Sequence, residues 1–149
     1  MSEQDEATPY LNAMIAYSVI GSEVWQSVVN GNSNASQNVI EKQKLLFNDY
    51  QVMEWHKSVP DSLQFVHPAK GQHSNPPARG IHRLQIALYL RRNQMRILIY
   101  RPVLHSATSI MENMDFAHRV VAVSKDTINI LTYVNQSSSI YKTQQTMCT

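Results

Sequence analysis

The sequence has one cysteine, Cys148, close to the C-terminus. One thiol cannot close an intrachain disulfide or build a multi-cysteine zinc site. Long apolar runs are missing as well. Met95–Tyr100 is interrupted by Arg96, and no run approaches the ~20 residues that a membrane-spanning helix needs. No membrane segment is expected. No secretory signal is expected either, because Glu3, Asp5 and Glu6 stand where such a signal needs positive charge. The triplets Asn34-Ala35-Ser36 and Asn135-Gln136-Ser137 then read as chance matches to a glycosylation acceptor. Motifs of catalysis are also missing. The chain has no Gly-rich phosphate loop, no nucleophile elbow and no pair of histidines at helical metal-site spacing. His56, His67, His73, His82, His105 and His118 read as loop or surface residues. No catalytic, metal or cofactor-binding residue is assigned, and the chain is read as a non-enzyme.

Acidic residues are absent from a third of the chain. Residues 62–111 hold none, with Lys70 and six arginines giving +7. Residues 1–61 hold eight acids against Lys42, Lys44 and Lys57, a net of −5. A basic block can mark nucleic acid. It can equally be a basic helix beside an acidic one in the same chain. The second reading is favoured here, because the arginines are interleaved with aliphatic residues rather than gathered into a run.

What is present is helical periodicity. The length of 149 residues suits one domain that buries roughly two-thirds of its unfolded surface. Thr8-Pro9 is a good helix start, since proline is tolerated in the first turn. That helix is expected to run to Val29, before a loop at Gly31–Asn34. A second helix is expected over 36–59, opened by Asn34 with Gln37 as a capping box and closed by Pro60. It carries two apolar stripes, one of Val39, Leu46, Tyr50 and Met53, the other of Val52, Trp55 and Val59. Residues 61–80 read as a loop, either a functional cover or an insert. The third helix, Ile81–Tyr100, has apolar residues on two nearly opposite faces. A helix packed on both faces is central. Pro102 ends it. A last helix, within 116–134, shows a narrow stripe of Ala117, Val120, Val121, Ser124, Ile128 and Leu131. The fold class is therefore all-α, with four main helices around the central Ile81–Tyr100 helix. A flexible N-terminus is expected over 1–8, the helical region over 9–134, and a disordered tail over 135–149.

Two motifs point to a family. One is Glu54-Trp55, then Val59-Pro60, then Leu63; the other runs from Leu84 and closes with Arg96-Ile97-Leu98-Ile99-Tyr100-Arg101-Pro102-Val103-Leu104. Together they resemble the middle regulatory region of fungal transcription factors that bear a six-cysteine binuclear zinc cluster. In that family a tryptophan helix ends at an aliphatic-proline step. A variable loop follows, then a long helix closing on "Arg-Pro-x-Leu", then a helix with small residues on one face. The resemblance covers about residues 10–134, the latter half of such a region, so a partial domain is expected. Trp55, Pro60, Leu63, Arg101, Pro102 and Leu104 match the motifs and are read as structural. The resemblance implies a nuclear regulator of RNA polymerase II transcription. It implies protein partners or self-association and a small-molecule effector. The family's zinc belongs to a DNA-binding module that needs six cysteines, so zinc binding and DNA reading fall on no residue here. The alternative is a helical protein-interaction or scaffold module unrelated to transcription.

Trp55 reads as core packing more readily than as a pocket wall. Arg101-Pro102 reads as a helix stop whose arginine is paired. Arg91 stands out. It is the one charge in the stripe Ile81, Leu84, Leu88, Arg91, Met95, Leu98, and a guanidinium cannot shed its charge on burial. Arg91 is therefore expected to be partly buried against Asp49 or Glu54, with Arg92 and Arg96 more exposed.

Overall fold

The computed structural model describes residues 6–33, 41–71 and 77–137. They form an all-α fold of five helices: α1 (Ala7–Ser33), α2 (Lys42–Ser58), α3 (Arg79–Tyr100), α4 (Ala107–Glu112) and α5 (Met114–Ser137). Four are long and α4 is a short addition that the periodicity missed. No described residue is in a strand, and no described helix is long and apolar enough to cross a membrane.

α1 begins where Thr8-Pro9 places it, but it holds more than was expected at both ends. Glu6, assigned to a flexible N-terminus, is only 2% exposed. Its carboxylate accepts a bond from Ser62 Oγ at 2.9 Å. At the other end the helix passes through Gly31-Asn32 to Ser33, where a loop was expected. The ~1 kcal/mol penalty of a glycine is small against the cooperative extension of a long helix.

α2 starts at Lys42, and the proposed cap at Asn34 and Gln37 lies outside the described residues. Its end is as Pro60 dictates: Val59 adopts φ −64°, ψ 134°, which is extended. Of its two apolar stripes, only Val52, Trp55 and Val59 enter the core. Leu46 and Tyr50 face solvent. The adjoining inward positions are polar, Asn48 and Asp49, because Asp49 is paired across the interface.

The segment 61–71 is not a bare loop. It makes two 3-10 turns, Asp61–Leu63 and Pro68–Lys70. Leu63 and Phe65 are buried and tie it down. The His67 ring caps the second turn by accepting the Ala69 N–H at 3.1 Å.

α3 is the centre, as its two apolar faces required. All three core clusters contain it: Met95, Ile99 and Tyr100 in one, Leu88 in the second, Ile86 and Tyr89 in the third. α1 approaches at Met95, whose terminal methyl lies 3.0 Å from where Gly21 lacks a Cβ. α5 approaches at Asn93, which bonds Asp126. These two positions are about 200° apart around the helix, so α1 and α5 flank α3 on opposite sides. α2 packs behind it, through Trp55 beside Leu88 and Asp49 beside Arg96.

After α3 the chain turns through a 3-10 segment, Arg101–His105, with Pro102 in its first positions. Ser106 then caps α4 by accepting the Ser109 N–H at 3.1 Å. α5 runs to Ser137, so residues 135–137 of the expected tail are helical; the rest of that tail lies outside the described residues. Its buried face is Phe116, Ala117, Val120, Val123 and Ile130. Of the expected stripe Ala117 and Val120 are buried, but Val121, Ile128 and Leu131 are exposed. Residues one apart are 100° apart on a helix, and here both adjoining stripes are apolar.

Candidate functional site

The residues on which the resemblance rests sit at the joints of the fold. Trp55 is buried, and its indole N–H donates to the Ala13 carbonyl of α1 at 2.8 Å. Its ring lies 5.1 Å from that of Tyr17. Leu63 is fully buried. Beside them, the start of α1 and the end of α2 border an open cleft of about 370 Å³. Thr8, Asn12, Ala16, Trp55, Ser58 and Pro60 line it. In the second motif the anchor is Val103, which is fully buried. Pro102 is half-buried and Leu104 is exposed. Arg101, expected to be paired, is exposed and makes no ion pair among the described residues.

The ion pair expected of Arg91 belongs to Arg96. Arg91 is exposed and donates only to Gln94 Oε1, at 2.9 Å. Arg96 is 16% exposed and holds Asp49 at 2.6 Å through Nε, with Nη2 at 3.3 Å. The acid was among those named and the arginine was not. A stripe of alternating three- and four-residue steps drifts around a straight helix, and Arg91 falls on its outer edge, whereas Arg96 points back at α2. Glu54, the other acid named, pairs with Lys57 on the surface at 2.7 Å. Arg92 is half-buried, over the Tyr89 ring at 4.1 Å.

Asp49 gathers three helices. The Tyr100 hydroxyl donates to it at 2.7 Å and Arg119 Nη1 at 3.3 Å. Arg119 also donates to the Tyr100 oxygen at 2.9 Å. Burial, with the bond to Asp49, pushes the Tyr100 phenol up to about 12. The bond to Tyr100 leads the causes that raise Arg119.

Asp126 makes a second centre, which the sequence did not signal. It accepts from His67 Nε2, Tyr89 OH and Asn93 Nδ2, each at 2.8 Å. Burial works to raise its pKa, but the bonds from Asn93, Tyr89 and His67 outweigh it and hold the carboxyl below its ordinary value. Since His67 Nδ1 takes the Ala69 N–H, Nε2 carries the proton. Both ring nitrogens are engaged, so the histidine fastens the 64–71 segment. Against this centre lies His56, edge-on to Tyr89 at 5.9 Å. Burial, helped by Arg92, lowers its pKa to about 4. The described residues contain no grouping of His, Cys, Asp and Glu that could hold a metal ion.

Outside these centres α1 presents an apolar surface. α1 carries a single charged residue, Glu23. Its outer face exposes Leu11, Ile15, Val19 and Trp25, each more than half open to solvent. No family model, curated protein or solved structure matches the chain.

Proposed function

We propose that this chain is the latter part of a regulatory region of the fungal zinc-cluster transcription-factor type. It acts in the nucleus, modulating RNA polymerase II transcription through protein contacts without reading DNA itself. The motif residues support the reading by their positions: Trp55, Pro60 and Leu63 at the joint of α1, α2 and the following turn, Arg101 to Leu104 at the joint of α3 and α5. The observation that carries it is the outer face of α1. Leu11, Ile15, Val19 and Trp25 fall within a sector of about 120°, on a helix with one charged side chain. Uncovered patches of several hundred Å² mark contact surfaces in soluble proteins. A small effector would enter the cleft beside Trp55 and Pro60.

Fusion of the full chain to an unrelated sequence-specific DNA-binding domain tests this in a yeast reporter strain. The fusion changes reporter output, and Ile15→Glu on the outer face of α1 abolishes the change. A fusion with no effect on the reporter, combined with exclusion of the tagged chain from the nucleus, overturns the transcriptional reading. It favours instead a helical interaction module unrelated to transcription, for which the same apolar face argues.

A further inference from the structure

A different surface carries a more specific partner. α3 has α2 behind it and α1 and α5 at its sides, so among the described residues its fourth side is open. At about 100° per residue, Arg79, Arg83, Arg91 and Arg101 fall within one sector of about 120° on that side. All four are exposed. Among the described residues none of them is in an ion pair. Arg91 alone has a side-chain bond, to neutral Gln94. Between them lie Ala87, Leu90 and Leu98, all half-buried. No acid occurs anywhere in 62–111 to answer this charge.

Two features decide what fits. The charge is arginine, unpaired and spread along a helix about 33 Å long. Among the arginines, Leu90 and Leu98 pack inward against the core and keep part of their apolar surface open on either side of exposed Gln94. A phosphate backbone would satisfy the arginines and leave that apolar surface in water. A helix that carries acids and leucines together on one face satisfies both, since arginine forks match carboxylates and helices dock on apolar strips.

We propose that the open side of α3 docks an acidic amphipathic helix of a protein partner. The reading goes beyond the outer face of α1 and stands whether or not the chain acts in transcription.

The test uses the full chain and three probes: a 22-residue peptide of Leu, Ala and Glu with one leucine face, the same peptide with every Glu replaced by Gln, and a 22-base-pair DNA duplex. Calorimetry or fluorescence titration is run at two salt concentrations. The Glu peptide binds, and more weakly at high salt, as screened charge pairs require. The Gln peptide and the duplex bind at least tenfold more weakly. Arg83→Glu with Arg91→Glu weakens the Glu peptide by about tenfold or more, the scale of two exposed charge pairs lost and reversed. Both residues are exposed on a helix, so a helical spectrum and unfolding midpoint matching the parent establish that the variant folds; if it does not, Arg83→Gln with Arg91→Gln replaces it. Equal affinity for the Gln peptide, an unchanged affinity in the folded variant, or a duplex bound more tightly than the peptide overturns the proposal.

Discussion

Asp49 and Asp126 both fasten α3 to a neighbour, yet one is surrounded by charge and the other by neutral donors. Asp49 is nearly inaccessible and faces two guanidinium groups and a phenol. Asp126 is about a quarter open and faces an imidazole, a phenol and an amide. Removing the first leaves the largely buried Arg96 guanidinium without a counter-charge. Removing the second leaves polar groups that water can partly serve. The comparison teaches that equal numbers of hydrogen bonds do not imply equal dependence on the carboxylate.

Asp49→Ala should show the largest loss, about 3–5 kcal/mol, because breaking a buried pair strands the remaining charge. Arg96→Ala should come next, on the order of 3 kcal/mol, for the same reason seen from the other side. Asp126→Ala should cost less, about 1–3 kcal/mol, the scale of unsatisfied neutral donors. Arg91→Ala should stay within about 0.5 kcal/mol, as exposed sites do. Urea denaturation of the four variants gives the ranking. If Arg91→Ala matched Arg96→Ala, the assignment of the buried pair would be wrong; if Asp126→Ala exceeded Asp49→Ala, the contrast between the two centres would fail.

The pH dependence separates the groups by window rather than by size. His56 has a folded pKa of about 4, below its ordinary 6.5. Its contribution is therefore fully present above about 6.5 and is lost as pH falls through 4, while the unfolded chain takes up the proton first. Asp126, held below its ordinary value, contributes above the unfolded carboxyl pKa of about 3.9 and loses this as pH falls further. His56 and Asp126 thus act in successive acid windows. His56→Phe should flatten the stability profile between pH 6.5 and 4 and leave the steeper acid limb unchanged. An unaltered profile would show that the ring is already hydrated. At the alkaline end, Tyr100 works with the opposite sign: its raised pKa stabilises the fold below pH 10, and this is lost as pH rises through about 12.

How legible these features were depends on what kind of pattern each leaves in the sequence. The central role of α3 was readable because both of its faces carry aliphatic residues at helical spacing. Pro60 and the Val52-Trp55-Val59 stripe were readable for similar reasons. The phase of α5 was not, since Val120 and Val121 offer two apolar stripes and only contact with α3 chooses between them. Arg96 was passed over because a charge inside an apparently polar stripe looks solvated until its partner is located. The Asp126 centre left no pattern at all. His67, Tyr89 and Asn93 come from a loop and a helix, and nothing in their spacing announces that they meet at one carboxylate. The Arg91 expectation failed on geometry alone: the residue sits where a seven-residue repeat has slipped off the core.

The two tryptophans of the chain report on different parts of α1. Trp55 reaches α1 from α2 and bonds the Ala13 carbonyl in the core; Trp25 stands further along the helix, about 120° around from Ala13 and 59% exposed. They form a pair of optical reporters with separate duties. Detachment of α1 from the body wets Trp55 and shifts its emission to the red. Coverage of the outer face dries Trp25 and shifts its emission to the blue. With Trp25→Phe only the first signal remains, and with Trp55→Phe only the second. The intrinsic fluorescence of the unlabelled protein can thus distinguish a partner that lands on α1 from one that pulls α1 away.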